Sequence, residues 1–222
     1  MVTLKMAIIF LMEQIRTPFS LIWTIMSPTV LFFFLHFNEI ELHYGDTAWL
    51  GKQISWFVGY ISFSVVLFNY CLYLVGRRES GFIATFVHNM DGRLLFIRSQ
   101  LIASLIMSIL YVFFFILVVL TGFQASPDYQ IVMIILKSIY INAFMMVSLT
   151  FMASFRVTFQ TASTIYSVLI TVCMVSGIVS LKYNEGIVYW INQVNPIAIY
   201  STILQSDQEL SLMTGNGANL LI

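Results

Sequence analysis

The sequence predicts an all-α polytopic membrane protein, and three observations carry that prediction. Five apolar stretches, near Phe19–Phe37, Ile54–Val75, Leu101–Thr121, Ile131–Ser154 and Ala162–Leu181, each match the roughly 20-residue helix that crosses a bilayer core. Hydrophobic residues make up 59% of the chain and charged residues only 9%, against the roughly 25% charged residues of a soluble domain. The formal net charge of zero hides an asymmetry once the loops are assigned alternately to two sides. Lys5, Arg16, Arg77, Arg78, Arg93, Arg98 and Arg156 fall on one side with only Glu13, Glu79 and Asp91. Lys52 and Lys182 fall on the other with Glu39, Glu41, Asp46, Asp128, Glu185, Asp207 and Glu209. By the positive-inside rule the first side is cytoplasmic, so the N-terminus is expected inside a multi-pass plasma-membrane protein. With 222 residues, the spans and their connections use the whole length, giving one membrane domain, 1–222, and no appended soluble domain.

The first element is an interfacial helix over residues 1–17. Lys5 precedes an apolar run, Met6–Met12, too short to cross alone, and no small-residue cleavage pattern follows that would mark a signal peptide. Thr17-Pro18 ends it, because the residue before proline avoids the helical region and proline suits the first turn of the next helix. Pro28 then lies in the middle of the first span, where it removes a backbone hydrogen bond. Pro18 and Pro28 are the two hinge candidates, with a packing kink as the alternative at Pro28.

After the outer loop Asn38–Gln53 and the second span comes the most informative polar segment, Arg77 to Arg93. Phe82, Ile83, Phe86 and Val87 fall on one stripe of a short cytoplasmic helix, with Glu79 near its start and Asn89 and Asp91-Gly92 as the turn that ends it. Its apolar stripe can rest on lipid or dock into a groove on a soluble partner.

Within the later spans the polar residues are few. Asn69 in the second span needs an amide partner in hydrocarbon, and Lys137 in the fourth either snorkels outward or faces a hydrated cavity beside Ser138 and Asn142. Ser104 and Ser108 form one small-residue stripe. Ser163, Ser167 and Thr171 form another on the fifth span, suited to close helix packing or to lining a passage. Residues 182–219 form an outer segment too polar to cross, in which Ile187–Ile191 and Ile197–Leu204 read as short helices beside interfacial Tyr183, Tyr189 and Trp190.

The Arg16-Thr17-Pro18 step, Ser27-Pro28, the Arg77-Arg78-Glu79-Ser80-Gly81-Phe82 segment and Asn195-Pro196, in that order and placement, resemble the membrane subunit of type-2 ABC exporters. The resemblance spans nearly the whole chain, although each motif is short. It implies a permease that forms a translocation route with a second copy or a paralogue, coupled through a cytoplasmic helix over residues 77–92 to a separate ABC ATPase subunit. Glu79, Gly81, Phe82, Ile83, Phe86 and Val87 would contact that ATPase. Asn69, Lys137, Asn142, Ser163, Ser167 and Thr171 are the route candidates. The family has six spans with both termini inside, and Leu220–Ile222 read as the first residues of a sixth that is missing or truncated, the alternative being a C-terminus that stays outside.

The sequence contains no Gly-x-x-x-x-Gly-Lys-Ser/Thr phosphate loop, no His-Glu-x-x-His and no Gly-x-Ser-x-Gly. His36, His43 and His88 are scattered, and Cys71 and Cys173 each sit inside a span as small hydrophobes, so no metal site or disulfide is expected. The expectation is a chain without catalysis or cofactor of its own, with ATP and magnesium on the partner, membrane lipid around it and no nucleic-acid partner. Compact size favours an amphiphilic peptide, antibiotic or lipid as cargo. A secondary transporter or channel, which would want more buried charge than Lys137, and a non-transporting assembly subunit are the alternatives.

Overall fold

A computed structural model describes residues 2–16, 18–82, 90–151, 155–182 and 185–206, apart from the side chains of 18–23 and 181–182. The described residues are helical, with no strand among them. In chain order the helices are α1 (Val2–Ile15), α2 (Pro18–Leu35), α3 (Thr47–Glu79), α4 (Met90–Gly122), α5 (Tyr129–Leu149), α6 (Phe159–Lys182), α7 (Gly186–Gln193) and α8 (196–206). Four of them, α3 to α6, are long and apolar enough to cross a membrane, which marks the chain as a membrane protein. α2 continues unbroken through Pro28.

α3 is the centre of the bundle. In its most apolar stretch 78% of the residues are buried, against 28% in α5 and α6, whose outward faces keep large aliphatic and aromatic side chains. It is also longer than the apolar run Ile54–Val75 suggests. The Asp46 side chain accepts from the backbone N–H of Trp49 at 3.1 Å, an N-cap that starts the helix at Thr47. Its other end is set by Gly81, whose φ of +72° follows Ser80 out of the last turn. Part-way along, Val65–Leu72 winds as a π-helix, and the Asn69 carbonyl there accepts from Gln100 Nε2 at 2.8 Å and Ser104 Oγ at 3.1 Å on α4.

The expected boundary between the cytoplasmic segment and the third span moves. Arg77–Glu79 belong to the last turn of α3, and Met90-Asp91-Gly92 lie in the first turn of α4 instead of forming a turn. Asp91 complements the dipole at that helix start, and burial of Phe96, Ser99 and Gln100 a turn or two later holds the helix there against the preference of an Asp-Gly pair. Residues 83–89, and with them Ile83, Phe86 and Val87, lie outside the described residues.

At the end of the bundle nearest the α2–α3 connection, Phe32 is fully buried. It meets Phe57, Phe115 and Phe123 with ring centroids 5.1, 5.8 and 6.0 Å away, all edge-on, the arrangement that aromatic quadrupoles favour. This cluster pins α2 to α3 and α4. α8 approaches α3 closely at Gly59, where an added Cβ would lie 3.1 Å from the carbonyl oxygen of Ile197, so a side chain there would require α8 to give by a few tenths of an ångström.

The connection to α8 explains the Asn195-Pro196 pair. Asn195 Oδ1 accepts from Ile197 N at 3.0 Å and so caps α8, while Pro196 occupies the helix's first position. Asn195 Nδ2 donates to Cys173 O at 2.7 Å and to Ser176 Oγ at 3.1 Å on α6. One buried amide thus starts a helix and fastens it to its neighbour.

Candidate functional site

Three groups of polar residues stand out: a clamp at the α1 end of the bundle, a cavity just inside it, and a buried knot farther along.

The clamp is the last turn of α3. Cationic residues suit a helix C-terminus, and Arg77 and Arg78 both lie there. Arg77 donates to the carboxylate of Glu13 on α1 and to the Tyr73 hydroxyl at 2.7 Å, while that hydroxyl donates to Glu13 at 2.7 Å. The Arg77 guanidinium also lies 4.9 Å from the Tyr73 ring centroid and 5.1 Å from that of Phe82. Arg78 donates to the carbonyls of Phe155 and Val157, and Glu79 accepts from the N–H of Phe159 at the start of α6. A carboxylate at its own helix's C-terminus is unfavourable, but here it meets the positive N-terminus of another helix. One turn therefore holds α1, the segment that follows α3 and the head of α6.

Of the expected partner-contact residues, Glu79 is engaged within the chain and Phe82 is half-buried, 5.8 Å from Phe96, in an aromatic group with Phe10 and Tyr73. Gly81 makes the turn between them.

Immediately inside the clamp, Gln14, Phe68, Asn69, Leu72, Tyr73, Tyr111 and Phe159 line a cavity of about 190 Å³. Its walls come from α1, α3, α4 and α6, and Asn69 reaches it from the π-helical stretch. No charged side chain lines it, so it offers amide and phenol groups among aromatic ones.

The buried knot centres on Asn142, 1% exposed on α5. Its Nδ2 donates to Ser108 Oγ of α4 at 2.6 Å and Ser62 Oγ of α3 at 3.2 Å, and its Oδ1 accepts from the Tyr200 hydroxyl of α8. Four helices meet at one amide, all of whose groups are bonded inside the bundle. Lys137, about one and a half turns earlier, directs its ammonium to the carbonyls of Ile203 and Leu204 at 3.3 and 3.5 Å and to Ser206 Oγ at 3.1 Å. It therefore ties the last described turn of α8 to α5.

On α6, Ala162, Tyr166, Ile170 and Cys173 form the buried face. Ser163 is half-buried beside it, and Ser167 and Thr171 are exposed, with Thr171 Oγ1 bonded to Ser167 O at 2.8 Å. Thr171 joins Val172, Val175, Ser176, Val179, Val188 and Ile191 along an aliphatic groove of about 360 Å³ between α6 and α7. The structure thus separates the six route candidates. Asn69 is at the cavity, Asn142 and Lys137 are in helix-to-helix bonds, and the hydroxyl stripe is on the outer side of α6. Pro18 and Pro28 lie at the start and within α2.

Sequence reasoning did not single out Glu13, Gln100, Asn195 or Tyr200 as site residues. Gln100 had a signal, since it extends the Ser104–Ser108 stripe by one turn; Tyr200 had none, its partner lying 58 residues away. Among the described residues no cluster of His, Cys, Asp and Glu could hold a metal ion. No family model matches the chain, and no solved structure matches it.

Proposed function

We propose that the chain is the transmembrane permease subunit of an ATP-driven ABC exporter in the plasma membrane. Two copies, or one copy and a paralogue, border the route, and separate ATPase subunits bind the segment after α3. ATP hydrolysis belongs to those partners. The basic end is cytoplasmic in this reading, following the positive-inside rule. α2 counts as the first of five spans: its 18 residues extend about 27 Å at 1.5 Å per residue, close to the hydrocarbon thickness.

The observation that carries the proposal is the clamp. Arg77, Arg78 and Glu79 fasten α1 and the head of α6 immediately before the segment expected to meet the ATPase. A displacement of that segment is therefore passed to two other helices and to the walls of the adjoining cavity, which is the linkage a nucleotide-driven permease requires. At about 190 Å³ the neutral, partly aromatic cavity is smaller than a drug-sized site, so an amphiphilic peptide, antibiotic or lipid as cargo rests on the resemblance and requires the route to widen.

Co-expression with an ATPase encoded beside this chain tests the reading. Phe86→Asp should place an uncompensated carboxylate at the contact and abolish ATPase co-purification and transport while membrane insertion survives. Unchanged co-purification and transport would overturn the coupling assignment. In the same system, cysteines at Asn69, Ser163, Ser167 and Thr171 should react with a water-soluble thiol reagent in a nucleotide-dependent manner, while one at lipid-facing Leu117 stays unreactive.

A further inference from the structure

Helix α1 is apolar on both of its sides, which constrains what surrounds it. Its inner side is covered by the bundle: Ala7 and Phe10 are buried, and Phe10 stands 5.4 Å from Phe96 and 5.8 Å from Tyr73 between ring centroids. Its outer side exposes Ile8, Ile9, Met12 and Ile15 together with Lys5 and Arg16. Residues 5, 9, 12 and 16 repeat at helical spacing and share one stripe, so the two cations bracket Ile9 and Met12 at a separation of about 16 Å. A helix that is apolar all round persists only when both sides are covered.

Further cations gather at the same place. Ser99 Oγ of α4 donates to the Thr3 carbonyl at 3.1 Å, so α1 crosses α4 beside exposed Arg98, with exposed Arg93 one and a half turns earlier. The acids nearby do not cancel them. Glu13 is occupied by Arg77 and Tyr73, leaving Asp91 against Lys5, Arg16, Arg93 and Arg98.

We propose that this face docks on an anionic lipid surface, with Ile8, Ile9, Met12 and Ile15 in the acyl–headgroup boundary and the four cations on lipid phosphates. Apolar side chains set between cations match the layering of a leaflet, where hydrocarbon adjoins a plane of negative charge. A second copy of this chain presenting the same face would set Lys5 and Arg16 against equal cations and is disfavoured. The inference does not depend on the transport reading.

The test uses the full chain reconstituted in membranes of phosphatidylcholine and phosphatidylglycerol, extracted gently, with the retained lipid measured by mass spectrometry. Wild type should retain phosphatidylglycerol in excess of its share of the membrane, and added sodium chloride should erode the excess. Each of K5Q, R16Q, R93Q and R98Q should reduce the preference about fivefold at low salt, and the four together should abolish it. These positions are exposed, and circular dichroism on each variant confirms that the helices are retained. Ile9→Glu should lower retention of both lipids with the four cations intact. An undiminished preference in the quadruple variant, or an equal loss in K52Q at the opposite end, would overturn the proposal. So would displacement of phosphatidylglycerol by inorganic phosphate beyond the effect of chloride at equal ionic strength, which would assign the cations to a free-anion site.

Discussion

Replacing Asn142 with leucine asks how much of the bundle rests on one amide. The substitution deletes the bonds to Ser108, Ser62 and Tyr200 and leaves the Tyr200 hydroxyl without its acceptor in a site only 2% exposed. Interhelical hydrogen bonds in membrane proteins average about 0.6 kcal/mol and reach about 1.7 kcal/mol, so three amount to about 2 kcal/mol. The stranded hydroxyl adds about 1 kcal/mol at the low end of the desolvation range. Asn142→Leu should therefore cost about 3 kcal/mol, read from reversible unfolding in mixed micelles as dodecyl sulfate is titrated. Tyr200→Phe alone should cost less, because it deletes one bond instead of three, although it leaves the buried Asn142 Oδ1 without its donor. The cycle through the double variant should return a coupling of about 2.5 kcal/mol, the shared bond plus the two stranded groups. A loss below about 0.5 kcal/mol for Asn142→Leu, or strict additivity with Tyr200→Phe, would refute the knot as a fastening point.

Three further outcomes follow from local chemistry. Gln124 holds φ of +49° just past α4, where Ala125 N returns to Leu120 O at 3.0 Å; Gln124→Gly should relieve the left-handed cost and stabilise by about 1 kcal/mol in the same titration. The Trp49 N–H, with help from His43, holds the Asp46 carboxyl below the usual carboxylate range. Its folded pKa is then lower than its unfolded one, so its stabilisation is complete above the unfolded value near 3.8 and vanishes as pH falls through the folded value. Asp46→Ala should therefore lower the unfolding midpoint at pH 7 and converge with wild type in strong acid. Lys137→Met should loosen the last described turn of α8, seen as faster amide hydrogen exchange at residues 203–206, with α5 unchanged; equal exchange would remove Lys137 from that role.

The spans were legible because lipid selects for apolar length, and four of the five predicted stretches fall on helices long and apolar enough to cross a membrane. Their ends were not. Asp46 signals the start at Thr47, but the apolar count begins only at Ile54, and hydropathy cannot register a polar helix turn held by a cap. Asp91-Gly92 reads locally as a turn and sits in a helix because Phe96 and its neighbours are buried. The candidate residues were recognisable by polarity alone, while their roles depended on distant partners. Lys137 has its acceptors 66 to 69 residues away, and Glu13 meets Arg77 across 64. Nothing in a single sequence pairs such positions. Asn195 was the nearest to readable, since Asn-Pro announces a helix start, though not the α6 carbonyl to which the amide is tied.

The π-helical stretch in α3 acts as a phase shift along a rod. Each residue turns an α-helix by about 100°, so one residue inserted between Ser62 and Tyr73 rotates everything beyond it by that angle. The half carrying Gly59 and Ser62 is thereby aimed at α8 and α5, while the half carrying Tyr73 and Arg77 is aimed at α1. A continuous α-helix could present only one of these settings. Removing a single residue within Val65–Leu72 would leave both halves helical and equally apolar, yet carry Arg77 about 100° around the axis, away from Glu13.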